Sequence, residues 1–404
     1  MPECWGGPGA RPIWLSCGRR FCLLAEPSDT MSTRSLPAPV PRLPWQRGLS
    51  ALLAIVASAL LAACAGHGSC ESPYASSPQF KGCGFRNPPN PQALPSASPW
   101  KIWPRFLLES KVGTVPVDPI PVRALSVAQL DALDRQANHV VRIGHASSLL
   151  KLRGTYWLID PMFSERASPF QWIGPRRFEE PPIALAQLPP IEGVIVSHDH
   201  YDHLDADTIA YLARRARHFF VPLGVGHRLQ AFGVPADRIT ELDWWQSATQ
   251  GEVEVTAVPT QHFSGRSLDD RDSTLWAGWV VQSGGQRIYY SGDGGYSPNF
   301  RQIGERFGGF DLALIENGAY DSNWPSVHMT PEQTAQAFED VRAKVLLPVH
   351  NSTFDLAFHP WQEPLARIAK LAQERHIALA TPEFGEVVTI GVGRRNVLWW
   401  EGLR

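Results

Sequence analysis

The sequence predicts a layered α/β or α+β fold, with helices covering stacked β-sheets, and three observations carry that expectation. Short apolar runs bounded by turn residues recur from His139 onward, among them "HVVRIG", "SSLLKLRG", "YWLIDP", "GVIVSH", "HFFVPLG", "VEVTAVP", "RIYYSGD", "LALIENG" and "AKVLLPVH"; such runs are strand-like. Helical periodicity appears between several of them. Histidines and aspartates follow the apolar runs directly, at Asp160, His198, His262, Asp293 and His350. Strand ends that share one edge would gather these residues, which are distant in sequence, at one point.

Taken in order from the N-terminus, Met1–Thr30 show no periodicity, and Met31 is followed by a short basic segment of the kind that starts a secretory signal. Translation is therefore expected to begin at Met31, with residues 1–30 an untranslated or disordered extension. The run "RGLSALLAIVASALLAACAG" has a basic flank, an apolar stretch too short for comfortable membrane spanning, and a small-residue end. Those features fit a signal peptide over residues 31–63. Its end resembles a bacterial lipobox, which implies lipidation at Cys64; Ala65 then implies the outer membrane, facing the periplasm. An uncleaved signal anchor is the competing reading. Residues 64–100 carry many prolines among serines and glycines and read as a tether, within which Cys70 and Cys83 could pair in an oxidising compartment. The folded domain is expected over residues 101–404.

All six cysteines lie before residue 84, so any metal site in the domain must use nitrogen and oxygen ligands. The net charge of -2, without long basic blocks, removes the electrostatic footprint of nucleic-acid binding. Within the domain, helices are expected at Ala206–Ala216, at Pro331–Val341 with Thr330 as N-cap, and at Trp361–Glu374.

The densest chemistry lies in "VIVSHDHYDHLDADT". His198-x-His200-x-Asp202-His203 places imidazoles and a carboxylate on a tight loop after a strand, where pairs of them can face two centres. Imidazole nitrogen and carboxylate oxygen suit Zn²⁺ best, with Mn²⁺ and Fe²⁺ also compatible. A helix N-terminus dressed with aspartates and surface histidines is the competing reading, and four ligand-type side chains within six residues weigh against it.

"SHDHYDHLD" resembles the H-x-H-x-D-H signature of the metallo-β-lactamase fold, and "LIDP", "PTQHFSGR", "YSGDGGY" and "LPVHNSTF" match its further motifs in order over roughly residues 138–385. The resemblance implies an αββα sandwich with a dinuclear site. It implies His198, His200 and His262 at the first metal, Asp202, His203 and His350 at the second, and Asp293 bridging. Two such ions lie about 3.5–4 Å apart and can share a hydroxide that serves as nucleophile. Asp202 would help orient it, and Asp160 would support the ligand loops.

"GHASSLLKLRGTYWLIDPMFSERASPFQWIGPRRF", "QHFSGRSLDDRDSTLWAGWVV", "HMTPEQ" and "FRNPPNP" resemble the branch that contains N-acyl-phosphatidylethanolamine-hydrolysing phospholipase D. The resemblance implies a zinc-dependent, phospholipase-D-like phosphodiesterase acting on a lipid, and a homodimer. A lactonase or amidase of the same fold is the alternative, and a non-catalytic envelope binding lipoprotein a third reading. For phosphodiester cleavage, His328 is the candidate acid for the leaving group. His145 is a candidate supporting or substrate-contacting residue, and Arg266 a candidate phosphate donor, with a structural ion pair the even alternative. Trp244, Trp245, Trp276, Trp279, Trp324 and Trp361 are candidates for contact with acyl chains or for plain core packing.

Overall fold

The computed structural model describes residues 72–393 and 396–404, all within one compact unit that begins at Ser69. The signal segment, Cys64 and Cys70 lie outside the described residues. The hairpin β1 (Phe80–Lys81) and β2 (Gly84–Phe85) comes first. It is followed by helix α1 (Pro99–Leu108), the short helix α2 (Val127–Asp131), and strands β3 (Asn138–Gly144), β4 (Ser147–Leu152), β5 (Thr155–Ile159) and β6 (Ile191–Ile195). Then come α3 (Ala206–Leu212), β7 (Ala216–Pro222), α4 (Gly226–Ala231), β8 (Ile239–Leu242), β9 (Ser247–Gln250), β10 (Val253–Val258), β11 (Gly278–Ser283) and β12 (Gln286–Tyr290). The chain finishes with α5 (Asn299–Phe307), β13 (Leu312–Glu316), α6 (Pro331–Asp340), β14 (Leu346–Val349), α7 (Glu363–Glu374) and β15 (Val387–Thr389).

The strands form a seven-stranded sheet, β15-β3-β4-β5-β6-β7-β8, and a six-stranded sheet, β14-β13-β12-β11-β10-β9. Adjacent residues of a strand point to opposite faces, and that alternation sorts the core into three layers. Leu150, Trp157 and Ile195 from the first sheet meet Val255, Trp279, Tyr290 and Leu314 from the second in one cluster between the sheets. Their neighbours Leu149, Leu158 and Val194 point outward onto Ile209 and Leu212 of α3 and Leu229 of α4. On the far side, Tyr289, Ala313 and Ile315 meet Phe300 and Ile303 of α5, Ala335 and Phe338 of α6, and Ile368 of α7. Helix, sheet, sheet, helix is therefore the layer order, as expected, and each buried large apolar side chain contributes roughly 1.5–3 kcal/mol.

Boundaries moved where a neighbouring element took over. The helix expected over Ala206–Ala216 stops at Leu212, because Ala216 already pairs in β7 with Ile191. The helix expected from Trp361 starts at Glu363, with Trp361 buried against Trp399. Thr330 caps α6 through a capping box with Gln333, and Pro331 occupies the first turn.

The proline-rich segment is not a free tether in its described part. Phe85 is fully buried in the core between the sheets, Tyr74 OH donates to Glu241, and Asn87 Nδ2 donates to the His262 carbonyl at 2.7 Å. Proline had removed ladder hydrogen bonds but not the capacity of Phe85 and the asparagines to dock. Cys83 is disulfide-bonded.

Strands β5, β6 and β7 run parallel, as do β12, β13 and β14, and β10 points the same way as β12 because both are antiparallel to β11. The C-terminal ends of β10, β12, β13 and β14 thus share one edge of their sheet, and those of β5 and β6 one edge of the other.

Candidate metal centre

After β6 the backbone turns tightly, with the N–H groups of His203 and Leu204 both donating to the His200 carbonyl, and Asp205 then caps α3. This turn throws alternate side chains in opposite directions. Asp199 points away and accepts from the Gly265 N–H at 2.8 Å, while His198, His200, Asp202 and His203 face inward.

Two groups of ligand atoms result. His198 Nε2 and His262 Nε2 lie 2.9 and 3.2 Å from His200 Nδ1, so three ring nitrogens converge. Beside them, His203 and His350 converge with Asp202, whose Oδ2 is 3.5 and 3.3 Å from their Nε2 atoms. Asp293 Oδ2 sits between the groups, 3.1 and 2.9 Å from His203 and His350 and 3.9 Å from both His198 and His262. The structure thus brings together all seven residues that the resemblance implied as ligands.

The surroundings fix which nitrogen faces the centre. His203 Nδ1–H donates to Asp160 at 2.7 Å, and His262 Nδ1–H donates to the Val327 carbonyl at 3.1 Å. Ser197 Oγ donates to Asp160 at 2.5 Å and so accepts from His198 Nδ1 at 2.9 Å. In each ring the Nε2 lone pair is left for a cation. His145 Nε2–H donates to Asp202 at 3.0 Å, which orients that carboxylate. His145, Asp160 and His350 hold positive φ of 50°, 39° and 63°, a conformation unusual outside glycine and concentrated here at the ligand loops. The space behind His350 is tight: a Cβ on Gly318 would lie 2.1 Å from the His350 carbonyl oxygen.

The residues fit a pair of divalent cations. His203 Nε2, His350 Nε2 and Asp293 Oδ1 are buried without a hydrogen-bond partner, a costly arrangement unless a cation satisfies them. The electrostatics point the same way. Burial opposes charge on His350, yet Asp293 and Asp202 beside it push it up to about 10, and His203 is likewise held well above its ordinary value. Burial also opposes charge on Asp202 and Asp293, but the adjoining imidazoles keep both well below the usual carboxylate range. A largely buried site whose carboxylates demand positive charge is one that a divalent cation satisfies by replacing protons. Burial, with His350 next to it, lowers His145 to about 3, so it is neutral and serves as a hydrogen-bond donor only.

Beyond the ligands lies a pocket of about 560 Å³, with His200, Asp202, His328 and His350 on its floor and Ile102, Phe106, Phe263, Trp324, Val327 and Leu356 among its walls. α1 supplies Ile102 and Phe106, and Phe106 stacks on Trp324 with 5.8 Å between ring centroids. Of the candidate tryptophans, Trp324 lines this pocket, whereas Trp244, Trp276, Trp279 and Trp361 are packed in apolar clusters and Trp245 packs beneath Arg306.

His328 reaches the pocket because Thr334 in α6 donates to the Glu316 carbonyl, docking the helix on the end of β13. Its Nδ1 lies 3.1 Å from Glu316 Oε1. Glu316 is fully buried, accepts from the Gly294 and Met329 N–H groups, and is pushed up by burial. Sequence reasoning passed over Glu316 although it ends the run "LALIE", the same strand-end signal that marked Asp293.

Arg266 corrects the expectation of a phosphate donor. Its Nη1 donates to the carbonyls of Asp199 and Leu204 at 2.7 and 2.8 Å, and its guanidinium lies 4.0 Å over Tyr201. It clamps the ligand loop from behind, and the partners are carbonyls rather than the ion pair weighed as the alternative.

Residues 155–351 match the family described as Beta-lactamase superfamily domain. The chain is 45% identical over 289 residues to "Uncharacterized protein Rv0906" of Mycobacterium tuberculosis, covering 70% of this chain and 77% of the relative. It is 34% identical over 262 residues to N-acyl-phosphatidylethanolamine-hydrolyzing phospholipase D 1 of Caenorhabditis elegans, covering 61% and 74%. A stretch of 99 residues is 50% identical to Outer membrane protein RomA of Klebsiella pneumoniae, covering 24% and 74%.

Proposed function

The chain belongs to the metallo-β-lactamase superfamily as a metal-dependent hydrolase, and on that premise we propose that it cleaves a phosphodiester of a phospholipid, in the manner of a phospholipase D. The observation that carries this reading is the apolar pocket opening directly on the ligand cluster, walled by Ile102, Phe106, Phe263, Trp324 and Leu356. A small polar lactone has no use for such walls, whereas acyl chains bury against them. Similarity to the Caenorhabditis elegans phospholipase supports the same choice.

His198, His200 and His262 would hold one ion, and Asp202, His203 and His350 the other, with Asp293 between them; zinc suits these donors. Bound there, two ions would supply Lewis acidity toward the phosphoryl oxygens and activate water near neutral pH. Asp202, ionised and fixed by His145, accepts a hydrogen bond from the attacking water and orients it. The water oxygen adds to phosphorus as one of its protons passes to solvent, and the bond from phosphorus to the head-group oxygen breaks. His328 then gives that oxygen its proton from Nε2, with Nδ1 held by Glu316. The products are a phosphatidate and a free alcohol.

The exposed side chains of Trp100, Leu108, Val112, Val117 and Trp172 give the domain apolar surface suited to a lipid bilayer. Lipidation at Cys64 would tether it to the envelope, with which the similarity to RomA agrees. None of the described helices is long and apolar enough to cross a membrane. The test is turnover by the zinc-reconstituted full chain of N-acyl-phosphatidylethanolamine and bis(p-nitrophenyl) phosphate beside a lactone and a β-lactam. Release of phosphatidate is expected. Lactone or lactam hydrolysis with both diesters untouched would overturn the reading.

A further inference from the structure

With Arg266 committed to carbonyls, any positive charge that the wall of the pocket offers an anionic substrate comes from another side chain. Arg228 is also engaged, with Nη2 2.5 Å from Asp270 and 3.4 Å from Asp199. Among the described residues lining the pocket, Arg271 is the one lysine or arginine. Its guanidinium lies 4.5 Å over the ring of Phe263, which itself packs against His200 and His262 with ring centroids 4.6 and 4.8 Å away. The stack from ligand imidazole through Phe263 to Arg271 sets the cation at the pocket wall, one aromatic ring removed from the ligand cluster.

The donors of Arg271 are free to act. Its side chain is 64% exposed, and the one carboxylate in ion-pair range of it among the described residues, Asp272, is 3.7 Å away and already accepts from Arg86 Nη1 at 3.1 Å. A planar guanidinium held flat on an aromatic ring keeps its edge donors for a bidentate contact with a phosphate.

We propose that Arg271 is the residue by which this pocket selects an anionic phosphate-bearing lipid over a neutral one of the same chain length. The proposal rests on the phosphodiesterase reading and adds to it a source of specificity outside the metal ligands.

Binding of dioctanoyl phosphatidate and of neutral dioctanoylglycerol to the zinc-loaded full chain, followed by calorimetry, separates the two ideas. The variant R271A is expected to bind phosphatidate about tenfold more weakly, the usual loss for a charge-assisted hydrogen bond, and dioctanoylglycerol as the unaltered protein does. R271K keeps the charge but not the fork and should fall between. Added salt should weaken phosphatidate binding in the unaltered protein more than in R271A. Unchanged phosphatidate binding in R271A would overturn the proposal, and so would equal loss of both lipids, which would make Arg271 part of the apolar wall. If the unaltered protein turns over no phosphodiester while R271A still loses phosphatidate selectively, the phosphodiesterase reading fails and the selection of an anionic ligand stands.

Discussion

Replacing Asp160 by asparagine tests whether the residue behind the ligands sets metal affinity. Asp160 is fully buried and accepts four hydrogen bonds: from the Ser197 N–H at 2.7 Å through Oδ1, and from Ser197 Oγ, His203 Nδ1 and Tyr290 OH at 2.5, 2.7 and 2.5 Å through Oδ2. An amide of the same shape has one acceptor oxygen. Its less costly orientation faces NH₂ toward the Ser197 N–H, opposing two donors, and leaves three neutral hydrogen bonds where charge-assisted ones stood. One lost charge-assisted bond and three weakened ones amount to about 3 kcal/mol. Urea unfolding of metal-free D160N should show that loss. The functional consequence is separate. His203 loses the charge that raises its basicity, and loss of such a supporting partner lowers metal affinity about 10–100-fold. Competition against a chromophoric zinc chelator measures this directly, with CD spectra showing whether the fold is kept. D160N that is folded and binds zinc within about twofold of the unaltered protein would refute the assignment, whatever its stability.

Three further outcomes follow from the geometry. H328N places an amide where Nδ1 stood, in contact with Glu316, but has no proton to give, so kcat should fall about 10²-fold or more with KM nearly unchanged; a rise in KM alone would make His328 a binding group. G318A should lose most of its metal content in elemental analysis of the purified protein, because the added Cβ would overlap the His350 carbonyl at 2.1 Å and push that ligand loop; full metal content would show that the loop yields. Zinc added to the metal-free protein at pH 8 should release protons, because Asp293 and Asp202 hold His350 up at about 10 and raise His203 above its ordinary value. The sign is that affinity rises with pH up to the folded-state value, since both groups must deprotonate to bind. Uptake in a weakly buffered solution without acidification would contradict it.

The layered α/β class and the strand-end candidates were legible because they rest on local patterns, whereas the order of the layers and the grouping of seven ligands came from the family resemblance. Asp160, His198, His262, Asp293 and His350 each follow an apolar run, and parallel strands of one sheet place such ends along one edge. Ser197 and Tyr290 were not legible as parts of the site. Each lies in a strand run or at its end, and only the approach of one sheet to the other makes Tyr290 OH a donor to Asp160. The prolines of residues 64–100 suggest a tether because they forbid regular structure, but packing does not require it: Phe85 fills the core from a two-residue strand.

Arg266 and Arg271 show why proximity in sequence misplaces a cation. Arg266 stands four residues after a ligand, and a long side chain so near a site suggests contact with whatever the site binds. The turn of His198–His203 leaves carbonyls of Asp199 and Leu204 facing outward from the ligand cluster, and an unpaired buried carbonyl is costly. Arg266 satisfies both, and Tyr201 OH returns a hydrogen bond to its backbone carbonyl at 2.6 Å. The demand of the ligand loop for a donor thus consumes the closer arginine. Arg271, nine residues from His262, is left at the pocket wall because Phe263 gives its guanidinium a flat seat and Asp272 is shared with Arg86. Which arginine meets the substrate is decided by which carbonyls the metal-binding turn leaves bare.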